Sequence, residues 1–135
     1  MSGAGDVRFA GYAAVFNRVD RGGDVVRAGA FAGLEAGGVP LLWQHAPGSA
    51  IGTVERLEED ARGLRVIGRV SARTAAGREA AAALKAGALD GLSFGYRVKA
   101  ARGMRPRELL ALELVEVSLV THPMQDAARV IAVEG

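Results

Sequence analysis

The feature that most constrains the fold is a succession of short apolar segments separated by glycine-rich turns. The chain has 135 residues, of which 19 are glycine. Segments of this length and composition favour strands over helices. Only two stretches favour a helix, so the order of segments predicts about six to eight strands with two helices. We therefore expect a single, mostly β domain with helices (α+β) that covers residues 1–135.

The first half of the chain contains two predicted strands and then a hairpin. Residues 7–16 (VRFAGYAAVF) are apolar and aromatic, as is typical of a strand. A short buried strand is predicted from Pro40 to His45, and the loop APGSA follows it. The segments IGTVERLEED and GLRVIGRVS then predict a hairpin. One face of its second strand comprises Leu64, Val66, Gly68 and Val70.

The two predicted helices differ in strength. The alanine-rich segment GREAAAALKAG favours a helix strongly, with Ser71 or Thr74 as its N-cap and Gly87 as its stop. A shorter helix is predicted within residues 24–38, where two glycines would end it. Its apolar face would comprise Phe31 and Leu34.

The second half of the chain contains the remaining strands. One strand carries Ser93 and extends to about Val98, and LLALELVEVSLVTH forms a long strand or a pair of strands. The basic segment KAARGMRPRE between them is predicted to be a mobile loop, and RVIAV is predicted to be the last strand. This order of elements predicts a small antiparallel β-barrel, open or closed, with one or two helices packed outside it.

The composition argues against several function classes. The net charge is only +2, the arginines are scattered, and there are one tryptophan, two tyrosines and four phenylalanines, so we expect no direct nucleic-acid binding. Cysteine is absent and there are two histidines, so we expect no disulfide, metal site or cofactor. No apolar run reaches the roughly 20 residues of a membrane span, and no signal peptide is recognisable. We therefore expect a cytoplasmic protein that does not bind membranes.

Candidate catalytic residues are few. The serines away from the termini are Ser49, Ser71, Ser93 and Ser118. Ser93 lies between two glycines in GLSFG, and the missing side chains would let a substrate lie against the strand. His45, at the end of a buried strand, has a rigid position for a general base. The alternatives are an ordinary strand-edge serine and a histidine that caps a strand through backbone hydrogen bonds.

A third candidate comes from the strand LELVEVSLV. If Val115, Val117 and Leu119 share one face, Glu116 and Ser118 share the other. A carboxylate is costly to bury without a partner, so Glu116 either reaches solvent or pairs with a group such as a histidine. His122 is the rival third member, although its place before a proline favours a loop.

These segments, in this order, resemble the prohead maturation proteases of tailed bacteriophages. Those serine peptidases share the fold of the herpesvirus assemblins, or capsid-maturation proteases. The resemblance covers nearly the whole chain. The matching segments are GYAAVFNRVDRGGDVVRAGAF, LLWQHAPGSAIGTV, GLRVIGRVS, LKAGALDGLSFGYRV and LELVEVSLVTHPMQDAARV.

The resemblance implies site residues. It implies that Ser93 is the nucleophile, that His45 is the base, and that the third member lies in the EVSLV strand. The herpesvirus enzymes place a second histidine where this chain has Glu116, which therefore takes the orienting role. They also use an arginine pair soon after that strand to stabilise the oxyanion, but this chain has THPMQD there. Backbone N–H groups near Ser93 are the expected replacement, with Arg97 as the candidate side chain.

The resemblance also implies a substrate and a place of action. Proteases of this family cut scaffold protein or the scaffolding segment of the major capsid protein precursor, and they commonly cut themselves. We therefore expect a serine endopeptidase inside the procapsid, as a possible homo-oligomer, in a phage, prophage or gene-transfer particle. Two alternatives stay open. One is a non-catalytic assembly module of the same fold, and the other is an unrelated small barrel that binds a ligand or partner.

Overall fold

The computed structural model describes residues 5–135, and this range contains eight strands and one helix. The prediction of a mostly β chain with a packed helix is confirmed. Among the described residues, no helix has the length and apolarity needed to cross a membrane. The elements in chain order are β1 (Val7–Val15), β2 (Asp24–Val26), β3 (Pro40–Trp43), β4 (Ala46–Glu59), β5 (Gly63–Val70), α1 (Ala75–Lys85), β6 (Gly91–Arg102), β7 (Arg107–Val120) and β8 (Val130–Glu134).

The strand β7 organises the sheet. Along one edge it pairs antiparallel with β6 over almost its whole length. Along the other edge it pairs in parallel with two short strands, β2 at residues 107–109 and β3 at residues 117–119. From β3 the sheet continues through β4, β5 and β1 to β8 in antiparallel pairs. The prediction of an antiparallel sheet is therefore wrong at these two positions, because long connections let β2 and β3 run parallel to β7.

The ladder of strand pairs does not close into a ring within residues 5–135. An isolated bridge joins Gly91 to Arg129, and the Leu92 N–H donates to the Ala128 carbonyl at 3.0 Å. These contacts place the start of β6 beside the segment that precedes β8. The predicted barrel stays a prediction, because the end strands do not form a continuous pair.

The predicted helix within residues 24–38 is wrong. The segment starts as β2 and continues as consecutive turns. Gly29 and Gly33, inside the predicted helix, have φ angles of 91° and 79°, which the interior of a right-handed helix does not contain. The turns are instead anchored by Glu59, whose two carboxylate oxygens each accept a backbone N–H at 2.7 Å, from Gly29 and from Phe31. Apolar spacing alone could not reveal these backbone requirements.

Two segments predicted as loops belong to strands. The segment APGSA is the beginning of β4. In KAARGMRPRE, residues 99–102 extend β6 and residues 107–108 begin β7, which leaves a turn at 103–106. Arg102 donates to both carboxylate oxygens of Glu108, at 2.9 and 3.1 Å. The predicted mobile loop is therefore a paired hairpin arm, and its exposed residues lacked the apolar alternation that would have marked it as strand.

The helix α1 and the β4–β5 hairpin form where they were predicted. The Thr74 hydroxyl accepts the Gly77 N–H at 3.0 Å as the N-cap, and Gly87 has the positive φ typical of a helix stop. Asp60 turns the hairpin by accepting the Arg62 and Gly63 N–H groups at 2.8 and 3.1 Å.

The core lies where the sheet and α1 meet, and it also receives the turns that follow β2. In β5, Leu64, Val66 and Val70 are fully buried, as the alternation predicted. The Phe9 ring covers Gly68, where a Cβ would lie 2.6 Å from the ring. The same packed layer includes Leu41, Leu92, Val117 and Leu119, which fixes the relative positions of β3, β6 and β7.

Candidate active site

The turn that presents His45 is a two-residue hairpin between β3 and β4. Trp43 pairs with Ala46, and the two residues between them, Gln44 and His45, have φ angles of 53° and 61°. Two positive φ values are typical of a type I′ turn, which usually contains asparagine or glycine. Two larger side chains in this conformation carry backbone strain that neighbouring contacts must offset.

Gln44 supplies one of those contacts. Its amide donates to the Thr121 hydroxyl at 2.6 Å and accepts the Thr121 N–H at 3.0 Å. Its backbone N–H donates to the Leu119 carbonyl at 2.9 Å. The turn is therefore fastened to the end of β7 on both its side-chain and backbone atoms.

His45 and Glu116 form a close pair. The imidazole Nδ1 lies 2.5 Å from Glu116 Oε1. The glutamate side chain is 9% exposed, whereas the imidazole is 46% exposed. An ionised carboxylate only accepts hydrogen bonds, so a neutral imidazole that donates from Nδ1 to it has Nε2 as its unprotonated nitrogen. The sequence left two alternatives for Glu116, access to solvent or pairing with a group such as a histidine, and the structure contains the pairing with His45.

Glu116 has a second partner on its own strand. The Ser118 hydroxyl donates to Glu116 Oε2 at 2.5 Å and accepts the His45 backbone N–H at 3.2 Å. The two side chains therefore point to the same side of β7, as the alternation predicted. Val115 is 42% exposed because it lies in a bulge, where the register between β6 and β7 shifts. A strict alternation of faces along β7 does not predict this bulge.

The glycines around Ser93 have packing roles. Gly95 lies opposite Glu116, and a Cβ there would be 2.7 Å from Glu116 Oε1. At Gly91 a Cβ would be 2.4 Å from the Val120 carbonyl oxygen. GLSFG also has the spacing G-x-S-x-G of a nucleophile elbow, but Ser93 lies within β6 rather than at a strand-to-helix turn. Gly95 therefore makes room for the Glu116 carboxylate, and Gly91 makes room for the Val120 carbonyl.

Ser93 lines a pocket of about 120 Å³ together with His45. The serine is 6% exposed and lies directly opposite Ser118 in the ladder. Within the described chain, its hydroxyl makes no direct hydrogen bond to the imidazole. Catalytic serine–histidine bonds are often long before substrate binds, so the missing bond does not exclude a nucleophile and its base. The other lining residues are Ala13, Asp20, Gly22, Asp24, Leu92, Phe94, Tyr96, Met124 and Gln125.

One wall of this pocket is a charged network. Arg107 donates two hydrogen bonds to Asp24, at 3.0 and 2.8 Å, and they hold the pKa of Asp24 below its usual value. The Tyr96 hydroxyl donates to the same carboxylate at 3.4 Å. Burial, followed by the nearby charge of Asp24, raises the pKa of Tyr96. The wall therefore presents an ionised carboxylate tied to arginine and a neutral phenol.

The other sequence candidates lie apart from this pocket. His122 is exposed in the bend after β7 and is not among the pocket-lining residues. The Arg97 side chain is 75% exposed and lies 3.6 Å from Glu113. It borders a second groove, which lies on the Glu116 side of His45. Among residues 5–135, no group of three or more histidine, cysteine or acidic side chains is arranged to hold a metal ion.

Gln125 is a site residue that the sequence did not reveal. It is 5% exposed, accepts the Val15 N–H at 2.7 Å, and donates to the Val15 carbonyl at 3.0 Å. The side chain thereby attaches the segment after β7 to β1 and forms part of the pocket wall. A glutamine in the polar stretch PMQDAA carries no local signal of this role, because its partner is 110 residues away.

Comparison with known proteins identifies the family of this chain and its structural neighbours. The family model described as caudovirus prohead serine protease matches residues 2–135. The chain belongs to this family. The prohead protease of Enterobacteria phage HK97 is 29% identical over 137 residues, which cover 94% of this chain and 60% of that protein.

The fold of this prohead protease family member is similar to that of herpesvirus proteases. The protease of KSHV, solved in complex with a hexapeptide phosphonate inhibitor, aligns with a TM-score of 0.61 at 13% identity, covering 96% of this chain and 65% of that one. The varicella-zoster virus protease aligns with a TM-score of 0.59 at 17% identity, covering 96% and 64%. The chain thus spans less than two thirds of the length of each of these relatives.

Proposed function

We propose that this chain is a serine endopeptidase of capsid maturation, with Ser93 as nucleophile, His45 as general base and Glu116 as the orienting acid. The observation that carries the proposal is the 2.5 Å contact between His45 Nδ1 and Glu116 Oε1, beside a pocket that Ser93 and His45 share. Membership of the prohead serine protease family supports the same reaction class. His122 is not assigned a role, because it is exposed outside the pocket.

The reaction follows from the protonation states of the pair. His45 Nε2 takes the Ser93 hydroxyl proton as the oxygen attacks a peptide carbonyl, and Glu116 stabilises the imidazolium that forms. The imidazolium then gives its proton to the leaving amine, which breaks the peptide bond and leaves an acyl ester on Ser93. The same imidazole then takes a proton from water, which attacks the ester. As the ester bond breaks, the imidazolium returns this proton to the Ser93 oxygen and the carboxylic acid product leaves.

Backbone N–H groups are the proposed donors to the oxyanion. Met124 and Gln125 line the Ser93 pocket, and within residues 5–135 their N–H groups have no acceptor. A preorganised N–H donor is typically worth about 100-fold or more in rate. Arg97 is a poorer candidate, because it pairs with Glu113 and borders the other groove.

The proposed substrate is the scaffold protein or the scaffolding segment of the major capsid protein precursor, with self-cleavage as a second target. The proposed place of action is the procapsid interior in the bacterial host. Support comes from the family and from the HK97 relative, which is named as a prohead protease. We also propose that the sheet curves into a small barrel, supported by the Gly91–Arg129 bridge beside β8.

Co-expression with the capsid precursor tests this function directly. The wild-type chain and Ser93→Ala are each produced with the major capsid or scaffold protein, and the products are measured by intact mass. A precursor shortened only by the wild type supports the proposal and locates the cut. A full-length precursor in both samples, with particles still assembling, would favour the non-catalytic assembly module instead.

A further inference from the structure

Ser118 is a fully buried serine on β7, directly opposite Ser93 in the β6–β7 ladder. Its hydroxyl donates to Glu116 Oε2 at 2.5 Å and accepts the His45 backbone N–H at 3.2 Å. One oxygen atom therefore contacts the side chain of the proposed acid and the backbone of the proposed base. It lines neither the Ser93 pocket nor the groove on the Glu116 side of His45, so it is not placed to touch substrate.

Each of the two Ser118 hydrogen bonds stabilises a group that would otherwise be unfavourable, a buried carboxylate oxygen or a backbone with a positive φ angle. Glu116 is 7% exposed, and without the hydroxyl its Oε2 would be a charged oxygen with little access to water. His45 has a φ of 61°, a conformation that a residue with a Cβ adopts at a cost. A carboxylate bonded at both oxygens cannot rotate away from Nδ1 without breaking one of the two bonds.

We propose that Ser118 is a positioning residue of this peptidase: its hydroxyl holds the Glu116 carboxylate against His45 Nδ1 and holds the His45 turn in place. The inference rests on the proposed function, because a positioned imidazole matters only if it acts as a base. The proton stays on Nδ1 while Oε1 is kept in front of it, and Nε2 stays unprotonated for Ser93. Removal of the hydroxyl should therefore lower kcat and leave KM nearly unchanged.

The test compares Ser118→Ala and Ser118→Cys with the wild type. Alanine removes the donor, whereas cysteine keeps a weaker S–H donor at the same position. Ser71→Ala is the matched control, because within residues 5–135 the hydroxyl that it deletes bonds only to the Arg73 N–H, near the start of α1. Circular dichroism and thermal melting verify that each variant is folded.

Two readouts are measured on each folded variant. The first is kcat and KM on the capsid precursor, together with the rate at which a fluorophosphonate labels Ser93. We expect kcat and labelling to fall about tenfold or more for alanine, in line with loss of a bond to a charged group, and less for cysteine. The second readout is the NMR signal of the His45 Nδ1 proton. In the wild type we expect a slowly exchanging, strongly downfield resonance, which broadens or disappears in Ser118→Ala.

The outcomes separate this inference from the proposed function. Wild-type cleavage with unchanged kcat and an unchanged proton resonance in Ser118→Ala would overturn the positioning role and leave the peptidase intact. A wild type that neither cleaves nor labels, with a resonance that still depends on Ser118, would refute the peptidase and keep the positioning contact. If the alanine variant does not fold, the cysteine variant decides. Because the S–H group is a weaker donor, we expect the kcat and resonance of that variant to lie below those of the wild type, and an unchanged kcat and resonance would overturn the inference.

Discussion

Glu116→Gln is the substitution that examines the proposed triad most closely. Glutamine has nearly the same shape, but it replaces a charged acceptor by an amide with a single acceptor oxygen. If that oxygen faces His45 Nδ1, the amide NH₂ faces the Ser118 hydroxyl, which can accept a hydrogen bond because it has two lone pairs. A productive orientation therefore exists, and the main loss is the charge that stabilises the imidazolium.

The size of the effect follows from that geometry. A hydrogen bond to a charged group contributes about 1.5–3 kcal/mol, and about 1.4 kcal/mol corresponds to a tenfold change in rate. The imidazole is 46% exposed, so water screens part of the interaction. We expect kcat/KM on the capsid precursor to fall about 10- to 100-fold. A fall of about 10⁴-fold would instead indicate that the amide NH₂ donates to Nδ1 and moves the proton to Nε2.

The control for this substitution lies on the same strand. Glu113→Gln removes a carboxylate that is 54% exposed and lies 3.6 Å from Arg97, and activity should stay within about twofold of the wild type. The reasoning would be refuted if Glu116→Gln kept wild-type activity while His122→Ala abolished it. In that case the third member of the site would be His122, and the close contact of Glu116 with His45 would be structural.

Two further predictions concern Gly95 and Glu108. Gly95→Ala places a Cβ 2.7 Å from Glu116 Oε1, so we expect the carboxylate to move and kcat/KM to fall by up to about 100-fold. In the control Gly48→Ala, the added Cβ meets no atom of residues 5–135 within 4 Å and should have no effect. Equal activity of the two variants would contradict this prediction. Hydrogen bonds from Arg102 and Arg27 lower the pKa of Glu108 from 4.5 to about 2, so its contribution to stability is complete above pH 4.5 and is lost as the pH falls toward 2. Thermal unfolding between these pH values should depend less steeply on pH in Glu108→Gln, and an unchanged slope would contradict the assignment.

Local patterns were sufficient where a residue's role depends on its near neighbours. Three features depend on contacts within three residues or on a single φ angle: the cap of α1 at Thr74, its stop at Gly87 and the turn at Asp60. The cap and the stop were identified from the sequence. The same reasoning failed at residues 24–38, where the spacing of Phe31 and Leu34 resembled a helix. The turns there depend on Glu59, which approaches from another strand and has no local signature.

In the candidate site, too, the residue types could be predicted from the sequence, whereas the contacts between distant residues could not. Ser93, His45 and Glu116 could be selected by residue type and strand position, together with the family resemblance. The sequence could not foresee that Gln44 and His45 form a strained turn, nor that Gly95 makes room for a carboxylate. Those features arise where β3 and β6 pair with opposite edges of β7, and a register of paired strands is not visible in any one of them.

The sequence by itself determined the strand-rich character, the capped helix and a short set of residues able to carry acid–base chemistry, because periodicity and composition are local properties. Only the tertiary structure decided that β2 and β3 run parallel to β7, that His45 contacts Glu116 across 71 residues of chain, and that Ser118 contacts both. The physical reason is that these contacts depend on strand register and on burial. Both are set by how the whole sheet packs, since a shift of one residue would turn Glu116 away from the imidazole.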